Sequence, residues 1–253
     1  HTFGTVGTGG FSSRNSSIGA FSSSYIVYII SIFMIVSGVN FPLYFELYKG
    51  RWKNVIKNSE LKLYLSIIGI STLLITLNLY GKVYNSIFEP FKHALFQVSS
   101  IITTTGYSTT DFNKWTEFSK GVLFLLMFVG GSAGSTGGGI KVVRLLIMGK
   151  LVKREISKLL HPRALVPIKL NGKIISSDVV VSVTSFFFLY MVIFALSTLL
   201  ISLEGIDFLS STSAVATTLG NIGPGFQMVG PTQHFSFFSQ PSKILFSLLM
   251  LFG

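Results

Sequence analysis

Three short strips in this chain place a glycine third behind a hydroxyl or amide residue. They are Thr8-Gly9-Gly10-Phe11, Thr104-Thr105-Gly106-Tyr107 and Asn221-Ile222-Gly223-Pro224. The chemistry open to such a strip is that of backbone oxygen. A run of carbonyls can replace the hydration shell of an ion, and glycine permits the backbone angles that align them. Threonine hydroxyls at the head of a strip add further oxygen ligands. No strip carries an acidic residue, which favours a dehydrated monovalent cation over a divalent one. Gly10, Gly106 and Gly223 stand 96 and 117 residues apart, and their surroundings repeat as well. An apolar stretch too short to cross a bilayer, 88–102 or 206–219, precedes the second and third strips. A short helix there aims its negative C-terminal end at the membrane centre, which suits a cation. Pro224 follows the third glycine where the other strips have Phe11 and Tyr107. That difference predicts a filter less symmetric than one built from identical strips, with fewer good binding sites.

A second unusual segment lies at 130–139, where six of ten residues are glycine: Gly130, Gly131, Gly134, Gly137, Gly138 and Gly139. So many glycines break a helix. The preceding apolar piece, 121–129, is nine residues long and reaches only about 13 Å, near mid-bilayer. Irregular backbone at that depth must be satisfied by protein or by a water-filled cavity. Ser132, Ser135 and Thr136 can bond the freed backbone groups. Two other chemistries fit poorly. Residues 134–139 have the glycine spacing of a phosphate-binding loop, but Ile140 stands where lysine is required and Val142 follows Lys141. The run Gly131-Ser132-Ala133-Gly134-Ser135 resembles a nucleophile turn. A hydrolase would need a histidine at matching depth, and His93, His161 and His234 all fall elsewhere.

The elements that position these segments follow from hydropathy and charge. Of 253 residues 49% are hydrophobic and only 11% charged, yet the net charge is +11; soluble domains carry roughly 25% charged residues. Segments 20–48, 61–80 and 179–203 are each long enough to span. Pro42 is expected to bend or end the first. The apolar run 243–253 reads as half a span, so the chain is expected to be a fragment of a longer protein. Lys49, Arg51, Lys53, Lys57 and Lys62 cluster after the first span. Lys141, Arg144, Lys150, Lys153, Arg154, Lys158, Arg163, Lys169 and Lys173 precede 179–203. These hold 14 of the 20 basic residues against Glu46, Glu60, Glu155 and Asp178. Both clusters read as cytoplasmic by the positive-inside rule, and the other face is near neutral. The basic excess therefore reports orientation, and the nucleic-acid reading loses its basis. There is no cysteine, which excludes thiolate chemistry within these residues.

Taken in order, TGGFSSRNSSIGAF, TTTGYSTTDF, GGSAGSTGGGIK, HPRALVPIKLNGK and TTLGNIGPGF resemble the TrkH/KtrB family of potassium uptake proteins, within the wider group that includes the HKT transporters. The first strip, of TGGFS type, is closer to the TrkH branch. The resemblance implies an all-α membrane protein with repeated span–pore helix–filter loop–span units around a pseudo-four-fold pore. About two and a half of four units would be present: the end of the second over 1–58, the third over 59–175 with a broken inner helix and a cytoplasmic loop, and a truncated fourth over 176–253. A basic residue in the family's last helix, facing the glycine-rich loop, would lie outside this chain.

The implied function is transmembrane transport of K⁺ by a pore-forming subunit, without covalent chemistry and without a cofactor in this chain. The implied K⁺ filter is Thr8, Gly9, Gly10, Phe11, Thr104, Thr105, Gly106, Tyr107, Asn221, Ile222, Gly223 and Pro224. The implied gating loop is Gly130, Gly131, Ser132, Gly134, Ser135, Thr136, Gly137, Gly138, Gly139 and Lys141. Implied partners are a second copy in a homodimer, the lipid bilayer, and a cytoplasmic nucleotide-binding regulatory subunit of the TrkA/KtrA type; the implied location is the cytoplasmic (inner) membrane, multi-pass. Two alternatives stay open. One is a Na⁺-permeable or Na⁺-coupled relative, because in HKT relatives a serine in place of glycine in the strip of the first repeat, which this chain lacks, accompanies Na⁺ transport. The other is an intramembrane serine hydrolase.

Overall fold

A computed structural model describes residues 1–21, 23–161 and 166–253. Arg163, counted above in the second basic cluster, lies outside the described residues. Two helices dominate, α5 (Ser59–Leu79) and α9 (Ser177–Ser202). Among the described residues they alone are long and apolar enough to cross a membrane unaided, at about 32 and 39 Å. Asn58 caps α5, its Oδ1 accepting from Leu61 N at 2.9 Å. One face of α5 buries Tyr64, Ile68, Ile75 and Leu79, while Leu65, Ile70, Leu73 and Leu77 stay exposed. An apolar exposed face is what a helix against lipid requires.

The segment 20–48 is not one straight span. It forms α2 (Ser24–Ser37) and α3 (Phe41–Tyr48), bent by 93°. The break is also not at Pro42, which sits in the first turn of α3, where its missing N–H costs nothing. The bend lies at Gly38–Asn40. A Cβ on Gly38 would stand 2.3 Å from the Tyr64 hydroxyl and 2.9 Å from Thr103 Cγ2, so packing against α5 demands a glycine there. The short α4 (Trp52–Lys57) then leads into α5.

The non-crossing stretches fold as expected. They form α6 (Phe88–Ile102) and α10 (Phe208–Leu219), with α1 (Thr2–Val6) as the corresponding piece before the first strip. α6 packs between α5 and α2, and α10 between α9 and α11 (Gln240–Phe252). The inner-face hydroxyls are satisfied within their own helices: Ser99 Oγ donates to Leu95 O at 2.6 Å, Thr217 Oγ1 to Ser213 O at 2.9 Å and Thr218 Oγ1 to Ala214 O at 2.8 Å, whereas the buried Gln97 amide on α6 has no partner among the described residues. Hydroxyls that bond back along their own helix can be buried without loss. The glycine-rich segment separates α7 (Glu117–Leu126) from α8 (Val142–Leu160). A small hairpin, β1 (Lys169–Leu170) with β2 (Lys173–Ile174), follows α8. Its turn residues Asn171 and Gly172 have φ of 48° and 83°, as a two-residue hairpin turn requires.

Candidate functional site

The three strips share one backbone geometry. Their first residues, Thr8, Thr104 and Asn221, have φ of 50°, 56° and 54°. Their third residues, Gly10, Gly106 and Gly223, have φ of 64°, 81° and 107°. A left-handed threonine is rare, so its recurrence at the head of two strips, with asparagine in the third, marks a turn repeated within the chain. The amides of each strip point back at the helix before it. Gly9 N and Gly10 N donate to Gly4 O at 2.9 and 3.4 Å, Thr105 N and Gly106 N to Ser100 O at 2.9 and 3.3 Å, and Ile222 N to Thr217 O at 2.8 Å. The carbonyls are left over. Among the described residues, those of Thr8, Gly9, Gly10, Thr104, Thr105, Gly106, Asn221, Ile222 and Gly223 accept no hydrogen bond. Such oriented, unpaired carbonyls are ready ligands for a cation.

The strips also pack on one another in order. A Cβ on Gly10 would lie 1.9 Å from Thr105 O, and one on Gly106 would lie 2.1 Å from Ile222 O. Gly10 and Gly106 thus abut the second-position carbonyl of the next strip. The contacts continue outward. The Tyr107 hydroxyl donates to Phe11 O and His1 O, both at 3.2 Å. Ser17 Oγ accepts from Ser108 N at 3.2 Å, and Asn113 Oδ1 accepts from Gln227 N at 2.8 Å. Phe11 itself presents its ring to the surface, while Tyr107 is buried. Beyond the strips opens a cavity of about 630 Å³ lined in part by Gly10, Arg14, Gly106, Gly223 and Pro224.

The glycine-rich loop docks on the heads of the strips. Gly138 N donates to Thr104 Oγ1 at 2.8 Å, Thr8 Oγ1 to Thr136 O at 3.1 Å, and Thr136 Oγ1 to Val6 O at 3.3 Å. Cβ atoms on Gly137 and Gly138 would stand 2.9 Å from Thr103 O and 2.9 Å from Gly220 O. The loop's base is pinned by Gly130 N to Ile140 O at 2.9 Å and Val142 N to Gly131 O at 3.1 Å. Lys141 Nζ donates to Gly137 O. Ser135 Oγ bonds Ser132 O at 2.6 Å, as expected of a hydroxyl satisfying freed backbone. Ser132 Oγ is buried and has no partner among the described residues.

A family profile described as "TrkH: Cation transport protein" matches residues 1–253. The chain belongs to the TrkH cation transport family. It is 37% identical over 255 residues to the Trk system potassium uptake protein TrkH of Escherichia coli strain K12, covering 100% of this chain and 52% of that protein. It is 38% identical to the TrkH of Vibrio parahaemolyticus, covering 53% of that protein. The crystal structure of the potassium transporter TrkH from Vibrio parahaemolyticus matches with a TM-score of 0.92 and 38% identity, over 100% of this chain and 55% of that one. The chain thus spans about half the length of the curated relatives it matches.

Within this TrkH-family chain the predicted site residues fall into two groups that meet: strips on one side, loop on the other. Two details differ from expectation. The threonine hydroxyls heading the first two strips are engaged with the loop. Glu60, counted above as a charge of the cytoplasmic face, is 5% exposed and bonds the loop at Ala133 N. Nothing in the local sequence separates Glu60 from an ordinary first-turn carboxylate; only the fold brings residue 133 to it.

Proposed function

We propose that this chain forms part of the pore of a K⁺ uptake protein, with the three strips as filter and residues 130–139 as an intramembrane gate. The observation that carries the reading is the shared strip geometry: amides turned back, carbonyls unpaired, and a left-handed residue at both first and third positions. A cation entering would exchange water for the oxygens of Thr8, Gly9, Thr104, Thr105, Asn221 and Ile222. A fourth strip, from a repeat outside this chain, would complete the ring. The loop then closes the path at the strip heads, and moving it away opens the path. That the relatives matched are named as potassium uptake proteins supports K⁺ as the ion.

The hydrolase alternative loses support from the site. Ser132 Oγ has no hydrogen-bond partner among the described residues, whereas a serine nucleophile needs an adjacent base. His93 Nδ1 is paired with Thr109 Oγ1 at 2.9 Å, and His234 Nδ1 with Ser236 Oγ at 2.7 Å. In a Trk-type assembly the chain would sit in the cytoplasmic membrane as a homodimer, with a nucleotide-binding regulatory subunit on the basic face. The deciding experiment is ion flux through the full-length protein in vesicles, with K⁺ and Na⁺ in competition. K⁺-selective flux supports the reading. Equal flux of the two ions supports the Na⁺-permeable alternative, and no flux with peptide cleavage supports the hydrolase.

A further inference from the structure

We propose that Glu60 is the positioning residue that latches the glycine-rich loop, and that it ties the loop to the α2–α3 bend. The proposal rests on reading the loop as a gate. Glu60 stands in the first turn of α5, where a carboxylate ordinarily complements the helix dipole from an exposed surface. That role needs no burial, yet Glu60 is 5% exposed. Both of its oxygens serve groups off its own helix. Oε1 accepts from Ala133 N, in the middle of the loop, at 2.6 Å, and Oε2 accepts from Asn40 Nδ2 at 3.5 Å. Asn40 is the residue from which α3 starts.

The neighbours of Ala133 repeat the link. Ser132 N donates to Gly38 O at 2.8 Å, and Gly134 O accepts from Phe41 N at 3.5 Å. Three consecutive loop residues are therefore bonded to Glu60 or to the bend. Of these bonds only the one to Glu60 has a carboxylate acceptor, and charge-assisted bonds are roughly twice as strong as neutral ones. The rest of the loop meets the strips through neutral hydroxyls and amides. The loop thus has an anchored half at 132–134 and a docking half at 136–138. The α2–α3 bend and the loop share this anchor, so displacing α3 pulls on the segment that closes the path. Asn40 Oδ1 and Ser132 Oγ are buried without partners among the described residues. Two open acceptors beside the anchor give the loop somewhere to re-pair when it shifts, which is what a two-position element needs.

The test uses the full-length protein in vesicles and two readouts, basal K⁺ flux and the labelling rate of a thiol introduced by Ser135→Cys in a background without other cysteines. A variant with the loop shortened by removing residues 137–139 serves as the control for the gate itself. Glu60→Ala is expected to raise both readouts by about tenfold or more, the shift set by losing one charge-assisted bond. Glu60→Gln, which can still accept from Ala133 N, is expected to stay within about threefold of the unmodified protein. Should Glu60→Ala fail to accumulate in the membrane, Asn40→Ala removes the second contact and is expected to raise the labelling rate. If shortening the loop raises flux while Glu60→Ala, or Asn40→Ala in its place, leaves flux and labelling unchanged, the latch is refuted and the gate stands. If shortening the loop leaves flux unchanged, the gate is refuted, and the latch with it.

Discussion

Replacing Gly106 by alanine tests the filter reading most directly. Gly106 has φ of 81°, where any side chain costs about 1–2 kcal/mol. The larger effect falls on the next strip. The new Cβ would lie 2.1 Å from Ile222 O, and real Cβ contacts essentially never fall below 3.0 Å. Ile222 O must therefore retreat by at least about 0.9 Å, the gap between those two distances. It cannot retreat freely, because Ile222 N is held by Thr217 O at 2.8 Å and the Ile222 side chain is buried. A carbonyl moved that far no longer contacts an ion seated for the others. Counted like a hydrogen bond to a charged group, one lost contact is worth about 1.5–3 kcal/mol. That corresponds to roughly a 10- to 100-fold loss of K⁺ preference. The assay is uptake by full-length protein with K⁺ and Na⁺ in competition, normalised to protein in the membrane. A Gly106→Ala protein that inserts normally and keeps its K⁺/Na⁺ ratio would falsify the assignment of Ile222 O and Gly106 to the filter. Gly10→Ala, facing Thr105 O at 1.9 Å, is expected to behave alike.

Gly138→Ala places a Cβ 2.9 Å from Gly220 O and should push the loop off the strips; raised basal K⁺ flux is expected, and unchanged flux with normal insertion counts against the docking. Tyr107→Phe removes the hydroxyl that reaches Phe11 O and His1 O. A loss of about 1 kcal/mol is expected in thermal unfolding, with weaker K⁺ selectivity as the link between strips slackens. Glu204 lies in the turn after α9, where hydrogen bonds from Ser239 and Ser242 hold its carboxyl below the usual carboxylate range. A depressed folded-state value means stability present above the unfolded value and lost as pH falls through the folded one. Unfolding in detergent should therefore show a small loss below about pH 4.5 that the Glu204→Gln variant lacks; identical pH profiles would remove Glu204 from the account of acid stability.

Much of the fold is legible from hydropathy because a bilayer punishes irregular backbone. α5, α9 and the non-crossing α6 and α10 lie within two residues of the segments expected from their apolar runs. The strips are legible because left-handed backbone selects glycine at Gly10, Gly106 and Gly223. The bend between α2 and α3 is not. The glycine it needs at Gly38 is imposed by the Tyr64 hydroxyl, which leaves no room for a Cβ, a constraint between residues 26 apart that no local pattern encodes, whereas Pro42 is the obvious but wrong signal. Glu60 is missed for the same reason, since its partners Asn40 and Ala133 come from other segments. The hairpin at 169–174 carried a readable signal in Asn171-Gly172, overshadowed by the surrounding lysines.

The contact of Gly10 and Gly106 with the next strip's carbonyl has a sense of rotation. Strip one leans on strip two, and strip two on strip three. This is the intrachain counterpart of a heterologous subunit interface, which is directional and closes only as a ring. A substitution at one glycine therefore acts on an oxygen that belongs to a different repeat. Duplicated units joined this way cannot drift apart independently: a change at one position is buffered or exposed by the residue that follows it around the circle. Epistasis among the repeats should run one way round, and grafting a strip from a relative should succeed more often when its downstream neighbour is grafted too.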